Sequence, residues 1–410
     1  MGSGAEAETE TPPVSRPTPR RLLKYITRCL RLKRYLEAPG DGRMSPQIPA
    51  KAMLWAILIG QILRESSFHA IENLVGSPQR RSLGVSRSFG DDALGYFTER
   101  LDAAPTRRAA VQAVRQAKRN KAFQNCHFLG LALDGTTVGR CSQSQCSLCR
   151  PFRNAKKQIV GYRHPLVMVS VVGTGLCLPI DVEPYGSGDS EYAAGQRLLR
   201  RVIPELGVRF ADYVVVDGAF ATAPFLHTAS DLGLPVVARL KENLPELFRA
   251  AQRRFSQQLP QLSFRWGKDR IEIWDAADFD PWESLRWSTV RVIYYRQHKP
   301  TGQLIEAYWL TNFSRQQVST RSLFRMAKSR WEIENQGFNE AKTHHDLEPI
   351  PHHQENSLLL EWLLTVLALT IERLYRLRYL HRGCHPRLSP IQFCRLLWLN
   401  LSRSSSLNTS

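Results

Sequence analysis

The sequence has no long apolar run and no cysteine framework, and both absences narrow the class of protein. Its most apolar segment, residues 53–63 ("MLWAILIGQIL"), is too short to span a bilayer and is typical of a buried helix. The N-terminal stretch "MGSGAEAETETPPVSRPTPR" lacks the apolar core of a signal peptide. Eight cysteines in 410 residues do not make a disulfide-based fold. We therefore expect a cytoplasmic protein with no membrane partner.

Acidic residues are few in comparison with basic ones. Lys and Arg number 56 against 37 Asp and Glu, which gives a net charge of +19 and a pI near 9.9. Hydrophobic residues at 43% and charged residues at 23% are ordinary for a folded protein. The excess positive charge indicates a polyanionic partner, with nucleic acid ahead of a membrane surface. A merely basic globular protein would have the same composition.

The N-terminal third of the chain reads as a leader followed by helices. Residues 1–20 have the composition of a disordered segment, and residues 21–125 show short helical patterns with basic outer faces. We interpret residues 21–125 as a DNA-binding or dimerisation region. A plain helical cap on the next domain fits the same pattern.

Strand patterns begin near residue 126 and alternate with helices. Residues 126–244 contain the buried strands "HFLGLALDG", "ADYVVVDGAF" and "LPVVARLK", which predict a mixed sheet with helices on its faces. Residues 245–318 read as an antiparallel β insertion. The α/β pattern resumes over residues 319–350, and residues 351–410 are predicted to be helical.

Two aspartates share one setting at the ends of predicted strands. Asp134 follows "LGLAL" and precedes Gly135, and Asp217 follows "YVVV" and precedes Gly218. In α/β sheets, ligand sites gather at the carboxyl ends of strands. A single aspartate in such a place is typically a turn or a helix cap. Two in equivalent settings, on strands that could be neighbours, favour a site.

The stretch "RWEIENQGFNEAK", residues 330–342, holds three acids on one predicted helix. At ~100° per residue, Glu334 lies on the apolar stripe that also contains Trp331 and Phe338, whereas Glu332 and Glu340 lie off it and are predicted to be solvated. A glutamate on a buried face needs a cation beside it. Arg330, four residues earlier, could supply that cation as a structural ion pair.

Asp134, Asp217 and Glu334 together form a ligand set for hard divalent cations. Mg²⁺ prefers carboxylate oxygens and keeps water or phosphate oxygens in its remaining positions. Two such ions about 4 Å apart can activate a water or a 3′-OH and stabilise the leaving oxygen during phosphodiester cleavage. The sequence therefore predicts metal-dependent chemistry on nucleic acid.

The blocks "ALDGT", "VVVDGAF" and "RWEIENQGFNEAK", in this order, resemble the three catalytic blocks of bacterial insertion-sequence transposases of the DDE type. The β insertion fits the branch of that family in which a β domain interrupts an RNase H-like core. The resemblance covers about residues 45–380. It implies an α/β fold: an RNase H-like mixed sheet with flanking helices, an antiparallel β insertion domain, and helical N- and C-terminal regions.

The block around the glutamate departs from the family signature in two places. The signature reads Tyr-x-x-Arg-x-x-x-Glu, with a Lys seven residues after the Glu. Arg330 and Glu334 match it, but Ala327 stands at the Tyr position and Lys342 follows Glu334 by eight residues. These departures resemble a divergent W-x-I-E-N subgroup, and they leave the role of the Tyr unfilled.

The resemblance implies a DNA transposase that cuts transposon ends and inserts the freed 3′-OH into target DNA by direct transesterification. Asp134, Asp217 and Glu334 would bind two Mg²⁺ ions, with Mn²⁺ as a substitute, while Arg330 and Lys342 would contact DNA phosphate. It further implies double-stranded DNA as partner, a homodimer on paired ends and a nucleoid-associated protein of the bacterial cytoplasm. The alternatives are a metal-dependent nuclease and a DNA-binding derivative with an inactive triad.

Basic and aromatic residues near the predicted site carry further hypotheses. Arg239 and Lys241 end a strand and could hold the phosphate backbone, or they could be a solvated strand end. Trp309, with Trp282 and Trp287, could stack on a base, although such residues more often pack a β domain.

A cysteine cluster follows the first aspartate. Cys146 and Cys149 have the spacing of a zinc knuckle, and Cys141 and His164 could add ligands to a structural Zn²⁺. No second C-x-x-C exists in the sequence, so reduced loop cysteines are the alternative.

Overall fold

The computed structural model describes residues 17–37, 39–83, 85–345, 347–379 and 388–406. Most of the predicted leader at residues 1–20 lies outside these ranges. The helices are α1 (Pro19–Lys24), α2 (Lys33–Leu36), α3 (Ala50–Leu63), α4 (Phe68–Gly76), α5 (Asp91–Arg100), α6 (Ala103–Arg119), α7 (Glu191–Leu206), α8 (Ala223–Asp231), α9 (Pro245–Ser256), α10 (Thr320–Glu332), α11 (Asn339–His344), α12 (Glu355–Tyr379) and α13 (Pro390–Ser406).

The strands of the described ranges join in one ten-stranded sheet. They are β1 (Gly130–Cys141), β2 (Arg150–Arg153), β3 (Ile159–Val172), β4 (Leu178–Pro184), β5 (Tyr213–Val216), β6 (Val236–Leu240), β7 (Leu262–Trp266), β8 (Asp269–Phe279), β9 (Val290–His298) and β10 (Leu304–Thr311). Shorter π-helical turns occur at Tyr25–Cys29 and Ile333–Phe338, and 3₁₀ turns at Pro78–Leu83 and Gly218–Phe220.

The first half of the sheet has the strand order expected of an RNase H-like core. β4, β3 and β1 form an antiparallel meander, and β5 and then β6 add parallel to β1 on its other side. β2 pairs with the first part of β3 and β4 with the second part, so both lie along the same edge. This arrangement confirms the predicted mixed α/β fold.

The predicted β insertion continues the same sheet. After α9, strands β7 to β10 form an antiparallel ribbon, and β10 pairs with β6 over Tyr308–Leu240 to Thr311–Val237. The insertion therefore extends the core sheet beyond β6. The last residue of β6, Leu240, lies opposite Tyr308 of β10.

Alternating side chains divide the core between the two faces of the sheet. Leu131 and Leu133 of β1 pack with the N-terminal helices and α7, whereas Ala132 packs with α10 on the opposite face. This period of two is what a strand covered on both sides requires. Each fully buried Leu contributes about 1.5–3 kcal/mol relative to an exposed one, so a one-residue slip of β1 would be strongly disfavoured.

Helix α12 is buried on every side from Leu360 to Tyr375. Leu364 packs into the core on one face of the sheet and Trp362 into the core on the other. The helix also covers the edge strand β4, because Thr370 Oγ1 donates to the carbonyl of Pro179 at 2.5 Å and Arg373 donates to that of Cys177. Among the described helices none is both long and apolar enough to cross a membrane.

Candidate active site

Asp134 and Asp217 lie at the same level of the sheet, where the pairing of the parallel strands β1 and β5 ends. Leu133 of β1 pairs with Val216 of β5, so each aspartate is the next residue after a paired position. β5 is buried along its whole length, as its sequence YVVV favours. The register therefore brings both predicted ligands to one end of the parallel pair.

β1 continues past Asp134, contrary to the sequence prediction that the strand ends there. It runs to Cys141, because the residues after Asp134 remain paired with β3 although they have passed the end of β5. Gly135 consequently makes no turn, and it provides space instead. A Cβ at position 135 would lie 2.2 Å from Oε1 of Glu191, so glycine allows the carboxylate of Glu191 to approach the backbone beside Asp134.

Helix α10 brings Arg330 between two of the predicted ligands. Arg330 is 6% exposed and lies on the same buried side of the helix as Phe324 and Ala327. Its Nη1 donates to Asp134 Oδ2 at 3.0 Å, and its Nη2 donates to Glu334 Oε1 at 2.8 Å. The structural ion pair considered for Arg330 and Glu334 is therefore present, and it extends to Asp134.

The two aspartates differ in how their charge is balanced. Burial, together with the negative charges of Glu334 and Glu191, raises the pKa of Asp134 to about 7 against the opposing effect of Arg330. Burial also acts to raise the pKa of Asp217, but hydrogen bonds from Lys241 and Gly218 outweigh it and bring that pKa below its ordinary value. Lys241 Nζ lies 2.9 Å from Asp217 Oδ2. Such opposed shifts within one cleft are typical of functional sites.

The helix widens into a π-helix, Ile333–Phe338, where it carries Glu334. A π-turn accommodates one residue more than an α-turn. Lys342, eight residues after Glu334, therefore lies on about the face that a spacing of seven would give in an α-helix. Lys342 Nζ donates to the carbonyl of Thr137 at 2.9 Å and lies 3.1 Å from Glu348 Oε1. The π-helix thus compensates for the one extra residue between Glu334 and Lys342. Contact of Lys342 with DNA stays a prediction.

The remaining acids of this helix are bonded to neighbouring elements, contrary to the prediction that they are solvated. Glu332 Oε2 accepts a hydrogen bond from the backbone N–H of Gly173 at 3.0 Å, and burial raises the pKa of Glu332 to about 7. Glu340 Oε2 accepts one from Arg373 at 2.7 Å. Trp331, predicted on the buried stripe, is 38% exposed. These acids hold the helix to the β3–β4 turn and to α12.

An open groove of about 840 Å³ lies beside Asp217. Arg239 and Lys241, at the end of β6, line it together with Tyr294 and Tyr308, whose rings stack with centroids 4.2 Å apart. The side chain of Lys241 is 53% exposed. Cations beside stacked aromatic rings have the chemistry of a nucleic-acid surface.

Trp309 has a supporting place in this arrangement. It is 1% exposed, and the guanidinium of Arg239 lies 5.5 Å from its ring centroid. Base stacking needs a free ring face. The prediction that Trp309 contacts a base is therefore corrected: the buried ring supports Arg239. Trp287 likewise packs inward, with its Nε1 donating to Ser230 at 3.1 Å.

The predicted cysteine cluster lies at the far end of β1 from Asp134. Cys141 ends the strand, and Cys146 and Cys149 lie in the loop that leads to β2. His164 of β3 contacts the sulfur atoms of Cys146 and Cys149. The structure brings Cys146, Cys149 and His164 together, and it places Cys141 in an overlapping group with His164 and His353.

The donor atoms around Asp134 suit a hard divalent cation. The three predicted ligands offer carboxylate oxygens, which such ions prefer. Burial raises the pKa of Asp134 to about 7 although Arg330 is bonded to it, so this cation does not fully offset the cost of burying the ionised carboxylate. A divalent cation would supply the missing positive charge.

Sequence reasoning gave no role to Glu191. It begins α7, directly after the N-cap Ser190, whose Oγ accepts from the backbone N–H of Ala193 at 3.3 Å. An acid in the first turn of a helix is fully explained by the helix dipole. Only the tertiary approach to Gly135, and its effect on the pKa of Asp134, distinguish Glu191 from an ordinary helix-start residue.

A family model described as "Transposase DDE domain" matches residues 127–371. The match covers more than half of the chain and includes Asp134, Asp217 and Glu334. Solved structures similar to this chain include a piggyBac transposase synaptic complex with hairpin DNA, at 12% sequence identity and a TM-score of 0.48, with 97% of this chain and 82% of that chain covered. A search of curated proteins finds no match.

Proposed function

Because the chain belongs to the DDE transposase family, whose domain model matches residues 127–371, we propose that it cuts DNA at transposon ends and joins the freed 3′-OH to target DNA. Water is the nucleophile of the first step and the 3′-OH that of the second, without a covalent protein–DNA intermediate. One observation carries the proposal: Asp134 and Asp217 lie at the same level of the sheet, where the pairing of β1 with β5 ends, and Arg330 links Asp134 to Glu334.

In this proposal Asp134, Asp217 and Glu334 hold the divalent cations that this family uses, two Mg²⁺ ions with Mn²⁺ as a substitute. Ions held by these carboxylates would lower the pKa of the attacking hydroxyl and stabilise the leaving oxygen. The raised pKa of Asp134 supports this assignment, because a nearby cation would keep that carboxyl ionised near neutral pH.

The basic residues of the site divide into positioning and DNA-contacting roles. Arg330 is 6% exposed and bonded to two carboxylates, so it orients the ligands and has little access to phosphate. Lys241 is half-exposed at the groove and can turn from Asp217 to a phosphate at small cost, since exposed ion pairs are weak. Arg239, beside it, is the second phosphate contact that we propose.

A second basic groove supports DNA binding by the helical N-terminal region. It has a volume of about 780 Å³ and is lined mainly by Arg31, Lys33, Arg34, Arg115 and Arg119. Clustered Arg and Lys at one groove are the electrostatic footprint of a phosphate backbone. We propose that this groove holds DNA flanking the cut and that two copies of the chain act on paired ends.

Cleavage of DNA from the ends of the element tests the proposal. Purified protein with Mg²⁺ or Mn²⁺ is expected to nick that DNA, and EDTA is expected to stop the reaction. Asp134→Asn should lower the rate by on the order of 10³-fold, whereas Asp280→Asn, at an exposed aspartate that follows β8, should leave it unchanged. Unchanged cleavage by the Asp134 variant would show that the triad is wrongly assigned.

Strand transfer separates a transposase from a nuclease. A transposase is expected to insert a pre-cleaved end into a plasmid, and that product should be absent for Asp217→Asn. Cleavage without any insertion would identify a metal-dependent nuclease. Binding of end DNA without cleavage in Mg²⁺ or Mn²⁺ would identify a DNA-binding derivative whose triad is inactive.

A further inference from the structure

The cysteine cluster at the end of β1 has the dimensions of a metal site. Cys146 Sγ and Cys149 Sγ lie 3.6 Å apart, and each lies 3.3 Å from Nε2 of His164. In a tetrahedral zinc site, bonds of ≈ 2.3 Å to sulfur and ≈ 2.0–2.1 Å to nitrogen separate neighbouring ligand atoms by about 3.5–3.8 Å. The three observed separations fall within about 0.3 Å of that range. We propose that Cys141, Cys146, Cys149 and His164 bind one structural zinc ion.

The burial of His164 supports a metal more than a set of thiol contacts. His164 is fully buried, and Cys149 and Cys141 are 6% and 8% exposed. Its Nε2 faces two sulfur atoms, whereas its other ring nitrogen, Nδ1, lies against the backbone near Val138. Thiols are weak partners for a buried imidazole, and buried polar groups without good partners are rare. A zinc ion bound to Nε2 removes that cost.

Cys141 is the fourth ligand of the proposed site. It lies beside Cys149, and its sulfur lies within 4.8 Å of ring nitrogens of both His164 and His353. His353 Nε2 lies 4.0 Å from Cys141 Sγ. At this distance His353 can donate a hydrogen bond to the Cys141 thiolate. Residues that contact metal ligands without binding the metal commonly make such hydrogen bonds. Three thiolates and one imidazole select zinc over the hard cations expected at the carboxylates.

The ion would stabilise a hairpin that has little core of its own. The site joins the end of β1 to β3 and to the loop that leads into β2. Strand β2 has no fully buried residue, and Phe152 on it is 40% exposed with Arg163 stacked 4.4 Å from its ring centroid. Since so little apolar area is buried here, a metal would supply the local stability. Its role is to hold the basic hairpin β2–β3 in place, away from the chemistry at Asp134.

Metal content of the full chain tests the proposal without reference to cleavage. After dialysis against metal-free buffer, mass spectrometry of the elements is expected to find about one zinc per chain. Cys146→Ser should lose that zinc. Two controls should keep it: Cys126→Ser, at a thiol that donates to the carbonyl of Phe128 outside the cluster, and Asp134→Asn, at the carboxylate site.

Cobalt substitution counts the thiolates on the folded wild-type chain, so it does not depend on any variant folding. Co²⁺ bound by the proposed ligands gives sulfur-to-metal charge-transfer absorption that corresponds to three thiolates. Cys141→Ser should reduce this absorption by about a third, and His353→Gln should leave it unchanged. An unchanged spectrum for Cys141→Ser together with loss for His353→Gln would overturn the assignment of the fourth ligand.

Two results would overturn the site as a whole. The first is a wild-type chain without zinc that also takes up no tetrahedral Co²⁺. The second is zinc that Asp134→Asn loses and Cys146→Ser keeps, since the ion would then belong to the carboxylates. Because neither measurement involves DNA, the zinc site and the proposed transposase activity can each fail without the other.

Discussion

Arg330 binds the carboxyl groups of Asp134 and Glu334 with one guanidinium. Its replacement tests whether the site needs a cation between these two acids. With Arg330→Gln, Asp134 and Glu334 would face each other without the cation bonded to both. We expect a loss of about 3 kcal/mol in the free energy of unfolding, typical when one partner of a buried ion pair is removed. The measurement is thermal unfolding in EDTA. Mg²⁺ should stabilise this variant more than the wild type, because the ion takes over the balancing charge.

Arg325→Gln is the matched control for that experiment. Arg325 lies on the same helix, α10, but is exposed, so its replacement should change stability by less than about 0.5 kcal/mol. If Arg330→Gln unfolded at the wild-type temperature in EDTA, the guanidinium would not be what holds the two carboxyls together.

Glu361 gives the stability of the protein a pH dependence. It is 5% exposed inside the helical layer, and burial raises its pKa to about 8 in spite of the hydrogen bond from Gln61. The folded chain therefore keeps a proton that the unfolded chain releases near the ordinary glutamate pKa of 4.5. This group consequently stabilises the fold less and less as pH rises between those two values, by about 1.4 kcal/mol per pH unit.

Glu361→Gln removes that dependence, since the amide does not titrate. Relative to wild type, the variant should gain roughly 2 kcal/mol of stability between about pH 6 and about pH 8, measured by urea unfolding. Glu205→Gln, at an exposed carboxylate, serves as the control and should follow the wild type. Parallel curves for wild type and Glu361→Gln would show that Glu361 is ionised in the folded protein.

At the scale of elements, the π-turn Ile333–Phe338 sets where Lys342 lies relative to Glu334. Deleting the exposed residue Asn335 would convert the turn to α-helix and leave a spacing of seven, so Lys342 should keep its bond to Thr137. Inserting one alanine after Asn335 would rotate Lys342 by ~100°. We expect DNA cleavage to survive the deletion and to fall by about 100-fold on insertion, as for other small misplacements at active sites.

Circular dichroism and thermal unfolding should show that both length variants are folded. A difference in their cleavage rates then reflects the position of Lys342 and not a loss of folding. Equal activity of the insertion and deletion variants would show that the position of Lys342 does not matter for cleavage. The substitution Lys342→Gln removes the positive charge without moving the residue along the helix. It should weaken DNA binding while leaving the helix intact.

At the scale of the whole molecule, the sequence predicts the parts that depend on local pattern. The strands around Asp134 and Asp217 are recognisable because each is a short apolar run followed by Asp-Gly, and sequential parallel strands tend to be neighbours. The continuation of β1 past Asp134 depends on pairing with β3, which no local pattern reveals. The approach of Glu191 to Gly135 and the burial of Trp309 likewise depend on neighbours distant in sequence.

The N-terminal helices and the region that matches the family model share one hydrophobic core. We therefore expect that neither part folds well as a separate fragment. Helices α3, α5 and α6 pack against α12. Buried hydrogen bonds cross this boundary, from Gln61 to Glu361 at 2.9 Å and between Thr98 and Ser357 at 2.8 Å. A fragment of residues 127–379 would keep α12 complete but expose one apolar side of it.

We therefore expect the 127–379 fragment to aggregate or to bind a hydrophobic dye such as ANS, whereas a chain of residues 17–406 should be monodisperse and unfold cooperatively. Gel filtration with light scattering and dye fluorescence measure this difference. Co-expressing residues 17–126 as a separate chain should recover soluble protein, because those helices cover the exposed side of α12. A monomeric, cooperatively melting 127–379 fragment would show instead that the catalytic part folds without its helical cover, and that the N-terminal region is free to serve DNA binding alone.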